Sequence, residues 1–80
     1  MKAIVFVQVV PGHTAEVSEA LLRVPEVVRL TSITGEFDLV AEIEVERSER
    51  LHDLFVDVID PLDGVARTLT HVVLKEFPRR

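Results

Sequence analysis

Two polar clusters hold the groups in this sequence that could do chemistry. The first is TGEFDLV over residues 34–40, where Gly35 leaves backbone N–H groups approachable and Glu36 and Asp38 set two carboxylates beside a tight turn. The second is GVARTLTHVVLKE over residues 64–76, where Thr68 and Thr70 stand two apart and so project from one side of a strand. Hydroxyls and backbone amides can hold a carboxylate while Asp38 or Glu36 holds an ammonium. Together the two sets describe the head group of a free amino acid. The same residues also have plain structural uses: Gly35 for the turn, Asp38 as a cap on a strand end, and the threonines as favoured strand formers at a sheet interface.

Other chemistry finds little support. His13, His52 and His71 fall on a loop, a helix and a strand, with no pair at i, i+4 spacing, so no metal site is expected. His52, Asp53, Asp57 and Asp60 lie along the outer side of a helix and read as a solvated acidic face. Ser18, Ser32 and Ser48 lack a G-x-S-x-G context, no Gly-rich phosphate loop is present, and Tyr and Trp are both absent. Neither catalysis nor a cofactor is expected.

The elements that position these clusters can be read from the apolar spacing. Ala3 to Val10 is β-branched or aromatic apart from Ala3 and Gln8, and apolar on both alternating faces, as a central strand would be. Pro11-Gly12 ends it. With Thr14 as N-cap, Val17, Ala20, Leu21 and Val24 then follow helical spacing up to Pro25. Val27–Ile33 and Asp38–Val45 read as a hairpin closed by a type II′ turn at Gly35-Glu36. Its register pairs Thr34 with Phe37, Leu30 with Ala41, Val28 with Ile43, Thr31 with Val40 and Arg29 with Glu42. Ser48 is the second N-cap, and Leu51, Leu54, Phe55, Val58 and Ile59 make the clearest helix, stopped by Asp60-Pro61. After the Asp63-Gly64 turn, Val65 to Phe77 is a final strand.

The order β-α-β-β-α-β predicts an α+β, ferredoxin-like sandwich: a four-stranded antiparallel sheet with right-handed crossovers placing two helices on one face. The other face has no cover, yet Ile33, Val40 and the first strand present large apolar groups there. Ala66, Thr68, Thr70, Val72 and Leu74 are expected to join them on that side. Such a face needs a partner sheet, so self-association is expected.

Composition sets the remaining limits. Eighty residues, 48% hydrophobic and 29% charged, suffice for one folded domain over residues 1–80. A chain this short is marginal alone and gains from oligomerisation. Nine Lys+Arg against 14 Asp+Glu give a net charge of -5, which argues against direct nucleic-acid binding. No cysteine is present, which suits a reducing cytoplasm, and no apolar run approaches the length of a membrane span. Asn is absent and Gln occurs once, which resembles the amide depletion of thermophile proteins.

Taken together, V-P-E-V-V at residues 24–28, TGEFDLV and LDGVARTLTHVVLKE resemble the effector (RAM) domain of the Lrp/AsnC feast/famine transcription regulators across residues 3–77. The marks are Pro-x-Val, the Gly-x-x-Asp hairpin at Gly35 to Asp38, and Gly64-Val65 leading to Thr68-x-Thr70. The family's N-terminal helix-turn-helix is missing from these residues, so the chain looks like a stand-alone RAM domain. The resemblance implies dimers formed through the sheet faces, rings that are often octameric, and an amino acid bound between neighbouring dimers. It carries ligand roles onto Gly35, Asp38, Thr68 and Thr70, and more weakly onto Glu36. Any effect on transcription would then pass through a full-length Lrp/AsnC-type partner. Two rival readings are a small dimeric ferredoxin-like enzyme using the open face, with His71 buried in a deep pocket, and an assembly module without a ligand.

Overall fold

Lys2–Val9 forms the strand around which the other elements assemble, because its residues are apolar on both sides. The computed structural model describes residues 1–79, which run β1 (Lys2–Val9), α1 (Thr14–Leu22), β2 (Val27–Ser32), β3 (Leu39–Glu44), α2 (Ser48–Leu54), a π-helical turn (Phe55–Ile59) and β4 (Val65–Val72). The sheet order is β2-β3-β1-β4, with every neighbouring pair antiparallel. This is the ferredoxin-like arrangement.

On one face Ala3, Val5, Val7 and Leu39, Ala41, Ile43 pack with Val17 and Leu21 of α1, Leu51 and Leu54 of α2, and Ile59 of the π turn. Both helices therefore cover the same face. Removing this much aliphatic surface from water is the main favourable term, at about 1.5–3 kcal/mol for each fully buried Val, Leu or Ile. No polar side chain lies in that core among the described residues. The opposite face carries Ile4, Phe6 and Val40, which are only partly buried, beside Lys2, Arg29 and Glu42.

The hairpin register matches the expectation at Leu30 with Ala41, Thr31 with Val40 and Arg29 with Glu42. Val28 departs from it. A bulge between Val27 and Arg29 sets Val27 opposite Ile43 and turns Val28 outward, 59% exposed. Two residues thus oppose one, which bends an edge strand. At the tip, Ile33 N–H donates to the Asp38 carbonyl at 2.9 Å. Gly35 has φ +115, the positive value expected there, but Gly35-Glu36 is a bend without a Thr34–Phe37 hydrogen bond among the described residues.

Several boundaries also move. Thr14 and Ser48 are the first helical residues rather than caps: His13 and Arg47 precede the helices, and neither makes a side-chain cap bond. The second helix widens to i→i+5 bonding, with Asp60 N–H donating to the Phe55 carbonyl at 2.9 Å. The last strand stops at Val72 instead of Phe77, although Val73 N–H still reaches the Lys2 carbonyl at 2.8 Å.

The largest correction concerns the side on which β4 places its residues. Thr68, Thr70 and Val72 pair with Val7, Val5 and Ala3, so they share the helix-covered side rather than the open one. Arg67, Leu69 and His71 take the open side instead, pairing with Gln8, Phe6 and Ile4. The pairing with Val7, Val5 and Ala3, which face the helices, fixes this side. A bulge at Gln8/Val9 ends this ladder at the Val9–Val65 pair.

Candidate functional site

The hairpin tip is tied to both neighbouring strands. Asp38 stands where β3 begins, and its Oδ2 accepts the N–H of Val9 at 2.7 Å. Its own N–H donates to the Val7 carbonyl at 2.9 Å. The carboxylate therefore takes over a backbone donor of β1 just beyond the last β1–β3 pair, Val7 with Leu39. Its Oδ1 accepts no hydrogen bond among the described residues, so one lone-pair face remains for another donor.

Glu36 is exposed, and its Oε2 lies 3.1 Å from Arg67 Nη2 on β4. Gln8 Nε2 donates to the Glu36 carbonyl at 3.1 Å. The Arg67 guanidinium also stacks over the Phe37 ring, 5.0 Å from its centroid. Phe37 is buried, yet it sits apart from the main core, with its ring 5.7 Å from that of Phe6 on the open face. Phe6 in turn meets His71 edge-on at 6.0 Å. A second, smaller apolar cluster thus anchors the tip to the open face. An exposed pair such as Arg67–Glu36 adds only about 0.2–1 kcal/mol by itself.

Gly35, Glu36 and Asp38 are accordingly brought together at the tip. Thr68 and Thr70 are not joined to them within one chain, because β1 lies between β3 and β4 and both threonines sit on the helix-covered side. Both are partly exposed, since β4 is an edge strand. In the single chain His71 is exposed on the open sheet face, edge-on to Phe6.

Arg67, Gln8 and Phe37 escaped the sequence reading. The signal was present in the alternation Arg67-Leu69-His71 against Thr68-Thr70-Val72. It could be used only once the pairing of Gln8 with Arg67 fixed which set accompanies Phe6.

Among the described residues no helix is long and apolar enough to cross a membrane. At the other end of the β2–β3 pair, Arg50 Nε donates to Glu26 Oε2 at 2.6 Å, and this bond holds the Glu26 carboxyl below the usual carboxylate range.

Comparison with known proteins gives this geometry its context. The family model for the Lrp/AsnC ligand binding domain matches residues 2–80. The HTH-type transcriptional regulator FL11 of Pyrococcus horikoshii is 39% identical over 75 residues, covering 94% of this chain and 49% of that protein. The chain thus spans about half the length of the curated relatives it matches. The crystal structure of TTHA0845 from Thermus thermophilus superposes with a TM-score of 0.91 at 32% identity, covering 98% of both chains. The NMB0573/L-Met complex from Neisseria meningitidis has the same fold, with a TM-score of 0.88 at 21% identity, covering 98% of this chain and 52% of that one. The family model spans the chain from its first strand to its end, and relatives at 36–39% identity cover more than nine-tenths of it: the chain belongs to the Lrp/AsnC ligand-binding domain family.

Proposed function

We propose that the chain is an amino-acid-binding effector and assembly module, acting on transcription or amino-acid metabolism through a full-length Lrp/AsnC-type regulator. The observation that carries this reading is the tied hairpin. Gly35, Glu36 and Asp38 are held at a sheet end by Arg67, Gln8 and the Val9 amide in a chain of a ligand-binding family. A free Asp38 oxygen suits an ammonium, and the Gly35 backbone suits a carboxylate. The hydroxyls of Thr68 and Thr70 come from a neighbouring chain, since in their own chain they lie on the helix-covered side, away from the face to which the hairpin tip is anchored. Complete sites then form between dimers, and the dimers use the open faces. A Neisseria regulator that contains this fold was crystallised as an L-Met complex, which supports the ligand class. The module works in the cytoplasm as a homodimer assembling further, up to an octamer, without touching nucleic acid or membrane itself.

The test is a thermal-shift scan against the twenty amino acids, followed by calorimetry on the best ligand. A ligand specific to the folded form raises the melting temperature by mass action. Asp38→Asn keeps an acceptor for the Val9 amide but loses the charge, and binding should weaken by ~1.5–3 kcal/mol, about 10- to 150-fold. Thr70→Val should weaken it through the lost hydroxyl. If a ligand binds and its affinity survives both changes, the site is misplaced. If none of the twenty shifts the transition, the ligand-free assembly module is the better reading.

A further inference from the structure

Beyond Val72 the chain continues as an arm over residues 73–79, and its large apolar side chains are bare: Leu74 is 96% and Phe77 80% exposed. The arm is held in place all the same. Val73 N–H donates to the Lys2 carbonyl at 2.8 Å, Lys2 Nζ donates to Glu76 Oε1 at 3.2 Å, and Lys75 Nζ sits 5.1 Å from the centre of the Phe77 ring. The Lys2 side chain belongs to the open side of the sheet, so the arm leaves along the rim of that face. A positioned phenyl ring left in water forfeits the burial that would stabilise it. At the same end of the sheet, where β2 begins and β3 ends, lies a cleft of about 550 Å³ with Pro25, Val28 and Val45 in its wall. The β2 bulge turns Val28 into it. The arm does not fill the cleft of its own chain: Glu76 is tied at β1, short of β3 and β2, and Phe77 stays in solvent.

We propose that the arm docks on a second copy of this chain, with Phe77 and Pro78 seated in that copy's cleft against Pro25, Val28 and Val45. The inference rests on the dimer through the open faces. When two such faces pack about a two-fold axis along the strands, β4 of one copy lies over β2 of the other and like sheet ends coincide. Each arm then meets the other copy's cleft, and the exchange is reciprocal. Leu74, on the span between, is covered by the β2 edge of the same copy. Charge favours the contact as well. Residues 73–80 carry Lys75, Arg79 and Arg80 against Glu76, whereas the chain as a whole has a net charge of -5, so a basic arm meets an acidic body.

The chain has no cysteine, so introduced thiols report alone. Phe77→Cys and Val28→Cys proteins, mixed and oxidised, should give a 77–28 disulfide dimer, identified by peptide mass. Its yield should clearly exceed that from Phe77→Cys mixed with Leu22→Cys, whose site is 64% exposed but outside the cleft. The doubly substituted chain should also cross-link between copies; a 77–28 bond within one chain would overturn the second copy as occupant. Phe77→Ala should raise the dimer dissociation constant, read by sedimentation, by about tenfold or more for each of the two arms. A 77–28 yield no higher than the Leu22 control would overturn the placement of the arm. If sedimentation of the unsubstituted chain still gave a dimer, the face-to-face reading would stand without it; a monomer at every concentration would overturn both.

Discussion

Replacing Gly64 by Ala tests how β4 is seated against α1. Gly64 has φ +95, and a Cβ built on it would lie 2.6 Å from His13 Cβ and 3.0 Å from Val17 Cγ2. Val17 is buried in the core, and the Gly64 carbonyl accepts the Val10 N–H at 2.7 Å, so neither side can retreat freely. Left-handed backbone costs a residue with a Cβ roughly 1–2 kcal/mol, and overpacking adds roughly 1–3 kcal/mol. The sum, about 2–5 kcal/mol, rivals the ~4–12 kcal/mol expected for a domain of this size. Gly35 supplies the control: its φ is +115, but a Cβ there meets nothing within 4 Å, so Gly35→Ala should show only the backbone part. Urea unfolding at one fixed protomer concentration reads the difference. With m near 1 kcal/mol/M, the midpoint of Gly64→Ala should fall below that of Gly35→Ala by about 1–3 M. Equal midpoints at equal m would refute the close approach to His13 and Val17.

Three further outcomes are expected. Val40→Asp puts a charge into the apolar part of the open sheet face and should lower the mass measured by light scattering; an unchanged mass would mean that this face is not the dimer surface. Asp38→Ala leaves the Val9 N–H without its acceptor and should cost about 1–3 kcal/mol in denaturant unfolding, whereas Asp38→Asn should cost clearly less; equal costs would mean that the bond contributes nothing. The third concerns acid. Arg50 lowers the folded-state pKa of Glu26, so the contribution of this pair is present above the ordinary carboxylate pKa and is lost as pH falls through the depressed value. Glu26→Gln should therefore be less stable than the parent at neutral pH and converge with it in acid, and a constant gap between the two unfolding curves would contradict this.

Periodicity served the sequence reading well where one side of an element is clearly more apolar than the other. The β2–β3 hairpin is the clearest case: its alternating faces and Gly35 placed three cross-strand pairs correctly. Val28 was misplaced because an outward valine at a bulge is as apolar as an inward one in a ladder. β1 gave no facing signal at all, with Ile4 and Phe6 on one side and Val5 and Val7 on the other. In β4 both alternating sets mix apolar and polar residues, Thr68-Thr70-Val72 against Arg67-Leu69-His71, so spacing alone does not tell which set faces the helices; only the pairing with Val7, Val5 and Ala3 does. For the site, Gly35, Glu36 and Asp38 were legible because they are neighbours in sequence. Arg67 and Gln8 were not, since they reach the tip only through strand pairing across 28 or more residues, which local spacing does not encode.

The widened turn after α2 bears on how relatives of different length should be compared. Leu54 and Ile59 are both fully buried, five positions apart, and with i→i+5 bonding those five positions make one turn. In an ordinary α-helix the same stacking takes four. Removing one residue at Val56 or Asp57, both exposed, would convert the turn to α geometry and still deliver the isoleucine under Leu54. The chain should therefore tolerate a single-residue deletion inside a helix, where such gaps are ordinarily destructive. A sequence one residue shorter can then be aligned with its gap at position 56 or 57, keeping the helix register on both sides.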